Sequence, residues 1–498
     1  MKRSEKLEKK DLYAIGIYEI VVFKLAGQLA KTLIHEKKYN KEEIIIIFKN
    51  IIDAPDNFLS DDTFGALAKS IKENQFQNNK TKQEKKGFDL KPVVPQYAIY
   101  GKDNIDDAAI QQMNTAMCLP ISVAGALMPD AHFGYGLPIG GVLATESDKI
   151  IPFAVGVDIA CRMCMSIFPM EFAYLEKHTQ KFKNLLSKNT LFGTGKGFEK
   201  PMADDVFDKS EWKATKVIRE LRKKAEFQIG TSGTGNHFVE WGMITILNDN
   251  NELKLPKGKY LALLSHSGSR GFGANIAGHY SKLAMEKTKL PDHAKHLAWL
   301  DMNTEEGQEY WIGMNLAGDY ASANHHQIHK KMALDLEMTP LKIIENHHNF
   351  AWKEKLADGT EVLTHRKGAT PANKGEWGII PGSMTAPGFL VKGKGNPDSL
   401  FSASHGAGRV MSRTQAFKQI TKNDLERMLQ DNGVVLIGGD LDEAPNAYKN
   451  IHEVMNFQSD LVEVIGEFSP KIVRMADKEK EPRWKTKKRG GELEFTES

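Results

Sequence analysis

Cysteine is scarce in this 498-residue sequence, which has only Cys118, Cys161 and Cys164. Three thiols cannot build a disulfide framework, so a reducing, cytoplasmic setting is expected and each thiol is left for packing or metal. An excess of one charge is also missing: 67 Lys and Arg stand against 64 Asp and Glu, net +3. That balance excludes a histone-like or strongly acidic protein, and a polyanionic partner would have to be held by local potential. Long apolar runs are absent. The densest, Ile44 to Phe48, is five residues long and flanked by charge, so no membrane span is expected. The basic start MKRSEKLEKKDLY imitates a signal peptide, but Glu19 and Lys24 interrupt the apolar stretch after it and no small-residue cleavage site appears. No export signal is expected.

What is present, 41% hydrophobic and 26% charged residues, is enough for a large core and roughly two to four domain-sized units. Between Asp11 and Ile34, Leu25, Leu29 and Leu33 recur at helical spacing, as do Phe64, Leu67, Ala68 and Ile71, with Asp11 and Asp62 as expected N-caps. These define a helical module over residues 1–75. A polar linker or mobile loop comes next over 76–91, then a mixed domain over 92–476 and a charged tail over 477–498. Within the large domain TKVIRELRKKAE (215–226) reads as helix, and Tyr260–Ser265 and Val434–Ile437 read as strands. The fold class expected is α+β.

The 42 glycines gather beside polar residues in MPDAHFGYGLPIGG (128–141), GTSGTGNHFVE (230–240), HSGSRGFG (266–273), PGSM (381–384) and HGAGR (405–409). Glycine permits close backbone approach, so successive N–H groups can converge on an anion, and phosphate is the natural candidate. No segment is a Walker loop or a dinucleotide fingerprint. Five of the 16 histidines, His132, His237, His266, His348 and His405, lie in or beside such polar segments. Imidazole ligates metals and acts as base or nucleophile. In GVDIAC, Asp158 and Cys161 add a carboxylate and a thiol; Cys118 and Cys164 are read as packing residues. Asp158, Cys161, His237, His266 and His348 are too many donors for one tetrahedral ion and would suit two ions sharing a ligand, about 3.5–4 Å apart, with sulfur as bridge. Such mixed donors can hold zinc or iron.

From about residue 92 to at least 455 the chain resembles the RtcB-type RNA-splicing ligases. The strings MPDAHFGYGLPIGG, GVDIAC, GTGNHFVE, HSGSRG, HHNFAW, HRKGAT, PGSM, SHGAGR and DEAPNAYKN stand in the family's order. The resemblance implies an RtcB-like catalytic domain with layered sheets, and a GTP-dependent ligase joining 3′-phosphate or 2′,3′-cyclic phosphate RNA ends to 5′-hydroxyl ends with two manganese ions. It implies a histidine–GMP intermediate on His405. It implies Asp158, Cys161 and His237 around one ion and Cys161, His266 and His348 around the other. Nucleotide contacts are implied for Asn236, His237, Phe238, Val239, Glu240, His348, Asn349, Pro381, Gly382, Ser383, Met384, His405, Gly406, Ala407 and Gly408. Arg270, Arg366, Lys367, Arg409 and Arg413 are candidate holders of RNA phosphates. An archease-like activator is an implied partner.

This chain departs from the family in three places. The glycines that usually flank the bridging cysteine are Ala160 and Arg162, which changes backbone freedom and charge there. After PGSM the usual GTAS is TAPG, leaving Gly388 where a serine often meets the base, and the C-terminal lysine–glycine ending is not recognisable in WKTKKRGGELEFTES. Two other functions fit the same residues: a dinuclear phosphoesterase that forms no GMP adduct, and a non-catalytic RNA-binding relative.

Overall fold

The computed structural model describes residues 7, 11–12, 15, 17, 20–73, 87–249 and 252–477. Two compact units meet in sequence at Gly87 and Phe88. The first holds helices Ile20–His35, Lys41–Asp53 and 65–73 and the short 3₁₀ turn Pro55–Phe58. Their apolar stripes close a small core of Ala26, Leu33, Ile44, Phe48, Leu67 and Ile71. In the run Ile44–Phe48 the ends are buried while Ile46 is 58% exposed, as a 3.6-residue period requires. Asn40 and Glu43 form a reciprocal capping box at the second helix. Neither expected cap holds. Asp11 lies inside a helical turn and pairs with Lys41 at 2.7 Å. Asp61, not Asp62, accepts from the backbone N–H groups of Thr63 and Phe64, at 2.8 and 2.7 Å. Its one-residue earlier position lets the carboxylate reach back over the free N–H groups at the start of the turn.

Residues 74–75 at the end of the expected module, 76–86 of the expected linker and 478–498 of the expected tail lie outside the described residues. Phe88 and Lys91 are anchored in the larger unit through Lys289 O and Cys118 O.

The larger unit is mixed α+β, with two main sheets. The bigger one orders its strands Trp377–Ile380, Gly388–Gly393, Val462–Met475, Phe238–Ile246, Gly258–Ser267, Arg162–Phe168 and Lys342–His347, and Val435–Ile437 pairs with Val462–Met475. The smaller orders Ala98–Ile99, Ser122–His132, Ile139–Glu146, Glu361–Lys367 and Asn349–Lys355. The expected strand Tyr260–Ser265 falls within Gly258–Ser267, the expected Val434–Ile437 starts one residue before the observed Val435–Ile437, and the expected helix overlaps Lys216–Gln228. Side chains alternate across the large sheet. Met163, Met165 and Ile167 pack into one core with Leu264 and Phe468. On the other face Val239, Trp241 and Leu263 pack against Ile328, Met332 and Leu336 of the 32-residue helix Glu305–Leu336. No helix among the described residues is long and apolar enough to cross a membrane.

Candidate active site

Sheet order solves the problem of ligands scattered between residues 158 and 348. Strands Phe238–Ile246, Gly258–Ser267, Arg162–Phe168 and Lys342–His347 are consecutive neighbours and every pair is antiparallel. The registers Phe238↔His266, Arg162↔Ser267 and Arg162↔His347 bring alternate strand starts and ends to one sheet edge. There Cys161 precedes one strand, His237 precedes another, His266 lies near the end of a third and His348 comes directly after the fourth. With strands about 4.8 Å apart, four donors on one edge must be close.

Cys161 Sγ stands 3.0 Å from His266 Nε2 and 3.4 Å from His237 Nε2. His237 Nε2 is 2.9 Å from Asp158 Oδ2, and His266 Nε2 is 3.3 Å from His348 Nε2. All five predicted metal-binding residues are therefore brought together and buried. Gly268 makes room: a Cβ there would fall 2.3 Å from Asp158 Oδ1.

Hydrogen-bond accounting tests whether this cluster suits a cation. His237 Nδ1 faces Ser232 O at 2.9 Å and His266 Nδ1 faces Asn236 O at 3.2 Å, so those nitrogens carry the hydrogens. The other ring nitrogens converge: His237 Nε2 faces Asp158 and Cys161, and His266 Nε2 faces Cys161 and His348. Burial, with His237 and His405, holds His266 down to about 3, and burial with His405 and His266 holds His348 well below its ordinary value. Burial pushes the Cys161 thiol well up and the Asp158 charge adds to it. Burial also pushes Asp158 up, but His237, Arg270 and Cys161 outweigh it and keep the carboxyl low. Imidazole nitrogens converging on a carboxylate and a thiol are a donor set for a divalent cation.

A second cluster, Cys164 with His325 and His329, shows the contrast. Ser166 Oγ meets His329 Nδ1 at 2.7 Å and His329 Nε2 meets Ser265 Oγ at 2.8 Å. Ser265 Oγ meets His325 Nδ1 at 2.7 Å, and His325 Nε2 donates to Ser267 O at 3.0 Å. A single direction of donation satisfies the whole chain, so these buried rings are complete as a hydrogen-bonded network.

His405 comes directly after the short strand Ser402–Ser404 and its ring centre is 5.0 Å from that of His348. Asp130, from strand Ser122–His132, meets His405 Nδ1 at 2.7 Å and accepts from the backbone N–H groups of His405 and Gly406 at 3.1 and 3.3 Å. Gly408, at φ +72°, passes so close that a Cβ would lie 2.1 Å from Asp130 O. The buried Lys449 ammonium donates to Pro129 O and Ala131 O, at 3.1 and 2.8 Å, fixing both neighbours of Asp130. Sequence reasoning missed Asp130 and Lys449, although both stand within the strings MPDAHFGYGLPIGG and DEAPNAYKN. The available signal was an aspartate two residues from His132 in a glycine-rich segment.

A cavity of about 420 Å³ opens beside His405. Asn236, Phe238, Glu240, His266, Pro381, Gly382, Ser383, Met384, Gly388 and residues 405–408 line it. Burial pushes the Glu240 carboxyl well up. Of the expected nucleotide contacts, Val239 instead packs in the core on the opposite side of the strand. Asn349 spends its amide on Asp158 O and the Gly368 N–H, at 3.2 and 2.8 Å.

The basic candidates divide. Arg409 and Arg413 line the cavity, held by Asp442, Glu443 and Tyr448. Arg270 is buried against Thr231 and His237. Arg366 is no phosphate holder: it is fully buried, bidentate to Glu354 at 2.9 and 3.0 Å, and bonded to Ser402 and Leu400. Its neighbouring carboxylate uses up the charge that the sequence offered.

The substituted neighbours of Cys161 have specific consequences. Arg162 is buried but neutralised, pairing with Glu345 at 3.0 Å and bonding Gly318 O and His347 Nδ1 at 3.1 Å each. Ala160 sits at φ +56°, a left-handed conformation that strains any residue with a Cβ. Ala160→Gly should therefore stabilise the protein by about 1 kcal/mol, read as a rise in the denaturant midpoint with the slope unchanged.

Comparison with known proteins agrees with this arrangement. The family model described as "tRNA-splicing ligase RtcB" matches residues 111–476. "RNA-splicing ligase RtcB" of Escherichia coli strain K12 is 34% identical over 387 residues, covering 72% of this chain and 91% of its own. "tRNA-splicing ligase RtcB" of Methanococcus maripaludis is 32% identical over 436 residues, covering 72% and 89%. The corresponding protein of Thermococcus kodakarensis is 29% identical, covering 74% and 91%. A sheet edge that gathers cysteine and histidine beside a glycine-lined cavity, and a match that takes in every one of these residues, together place the chain in the RtcB family of RNA-splicing ligases.

Proposed function

We propose that the chain is a GTP- and manganese-dependent ligase that joins RNA 3′-phosphate or 2′,3′-cyclic phosphate ends to 5′-hydroxyl ends, with His405 as the nucleophile that accepts GMP. The observation that carries this reading is the placement of His405. Its Nδ1 is held by the Asp130 carboxylate, its ring lies 5.0 Å from His348, and it borders the cavity. Donation of the Nδ1 hydrogen to Asp130 leaves the Nε2 lone pair to attack the α-phosphorus of GTP, with pyrophosphate departing. Asp130 stabilises the positive charge that develops on the ring. Two divalent ions, held by Asp158, Cys161 and His237 and by Cys161, His266 and His348, would supply Lewis-acid stabilisation of phosphate oxygens.

The neutral amide of Asn236 and the backbone N–H groups of 405–408 can fix phosphate without adding net charge. Glu240 lines the cavity wall, and its carboxyl oxygens would accept from the N–H edge of the base. GMP then passes from His405 to the RNA 3′-phosphate, and the 5′-hydroxyl displaces GMP, so GTP supplies the energy of the new bond. A cyclic phosphate is first opened to the 3′-phosphate. RNA, GTP and an archease-like activator are the proposed partners, in a cytoplasmic setting.

The test is incubation with α-labelled GTP and manganese, and then with RNA halves bearing cyclic-phosphate and 5′-hydroxyl ends. Acid-labile label on the protein and sealed RNA are expected. Phosphoester hydrolysis with neither label nor sealed product would replace the proposal with a phosphoesterase.

Metal uptake should also depend on pH with a known sign. Burial keeps His266 and His348 neutral, whereas it holds the thiol of Cys161 protonated. Binding must expel that proton, so apparent manganese affinity should rise with pH, by up to about tenfold per unit while the free thiol stays protonated. Titrations from pH 6.5 to 8.5 with proton-release measurement check this.

A further inference from the structure

Beside the catalytic cavity lies a second cavity of about 430 Å³, lined in part by Gln111, Thr115, Phe133, Tyr135, His293 and His296. Phe133 lines both cavities. Two aromatic side chains stand in solvent here: Phe133 is 60% exposed and Tyr135 72%. A surface loop that merely connects strands has no need of two such rings.

The loop is nevertheless fixed. Gln112 donates to Gly134 O at 2.6 Å and accepts from the Gly134 N–H at 2.9 Å. Lys367 donates from Nζ to Tyr135 O, and the Tyr135 ring meets His296 edge-on with centres 6.3 Å apart. The same strand end carries Asp130, the partner of His405, only three residues before Phe133. The aromatic pair is thus tied to the frame that holds the proposed nucleophile. The cavity wall offers amide, hydroxyl and imidazole groups and no carboxylate, a lining compatible with a polyanion.

We propose that Phe133 and Tyr135 form a stacking platform for unpaired bases of the RNA end being joined. The platform rests on the reading of the protein as an RNA ligase. Each ring offers a π face to a base regardless of its identity, so the platform gives grip without sequence preference. The bases that stack there can belong to the strand ending in 3′-phosphate or to the strand starting with 5′-hydroxyl.

Full-length protein with Tyr135→Ala, Phe133→Ala, Tyr135→Phe or Phe133→Trp would be assayed for affinity toward a single-stranded RNA oligonucleotide and for the KM of RNA in sealing. Each alanine variant should weaken RNA binding and raise KM by about 5- to 100-fold, and the two aromatic replacements should restore both. Guanylylation of Tyr135→Ala by labelled GTP should equal that of the unaltered protein. Abasic sites placed at the terminal positions of one strand or the other then locate the stacked strand: on that strand alone the abasic penalty disappears in Tyr135→Ala. Alanine variants that bind and seal RNA within twofold of the unaltered protein would overturn the platform, as would equal abasic penalties on both strands in variant and parent. RNA binding that depends on Tyr135 in a protein that takes no label and seals nothing would support the platform and refute the ligase reading instead.

Discussion

Cys161→Ala should bind neither of the proposed cations and should form no protein–GMP adduct, while still folding. The sulfur is within reach of a histidine from each proposed set, 3.4 Å from His237 Nε2 and 3.0 Å from His266 Nε2. Removing it leaves each prospective ion with two of its three proposed donors. A mere supporting hydrogen bond around a metal is worth about 10–100-fold in affinity, so loss of a shared ligand should exceed that range for both ions together. The side chain is small and belongs to none of the main apolar clusters, so stability should change by no more than about 1 kcal/mol. Calorimetric manganese titration, adduct labelling and a denaturation curve on the same preparation separate the three effects. Cys161→Ser should rescue neither metal binding nor label fully, because a hydroxyl is a poorer bridging donor than a thiolate.

Asp130→Asn is expected to slow adduct formation by about 10²–10⁴-fold, the usual worth of a group that controls proton position at a reacting atom. The carboxylate fixes the hydrogen on His405 Nδ1 at 2.7 Å, leaving Nε2 as the nucleophile. An amide can present its NH₂ there and reverse the tautomer. GTP binding should change little, because Asp130 does not line the cavity. Burial pushes the Asp130 carboxyl up, but His405, Lys449 and His132 together hold it below its ordinary value. Its folded pKa is therefore depressed. The stability it contributes is present above the ordinary carboxyl pKa, about 4, and is lost as pH falls through the lower folded value. The parent should consequently keep this contribution throughout neutral and mildly acidic pH, and thermal melts of parent and variant should converge only in strong acid.

Much of the site was legible as residue types and little of it as geometry. The five candidate metal-binding residues were recognisable because thiol, carboxylate and imidazole are rarely set among glycines without a reason, and the family strings ordered them. Their meeting depended on strand order, which no local spacing encodes: Arg162 pairs with both Ser267 and His347 only because the sheet places those strands on its two sides. Arg366 misled because a sequence shows a charge without its counter-ion, and Glu354 lies twelve positions away on the paired strand. Val239 misled for a simpler reason. Strand alternation turns every second side chain of the Asn236–Glu240 segment away from the cavity. Asp130 escaped notice because its role is to hold another residue, and a holding role leaves no mark in composition. In the helical module periodicity located the helices, while the caps at Asp11 and Asp62 failed because a cap is decided by one or two residues of offset.

The edge that collects the four donors has a consequence for how the protein matures. The proposed ligand set runs from Asp158 to His348, so it would be incomplete until most of the chain has left the ribosome and the four neighbouring strands have zipped together. On that proposal a nascent fragment could not capture an ion early and use it to guide its own assembly, as a zinc finger does. Loading would then be an event of the finished scaffold, and which ion the cell supplies at that late moment would be a matter of availability as much as of affinity.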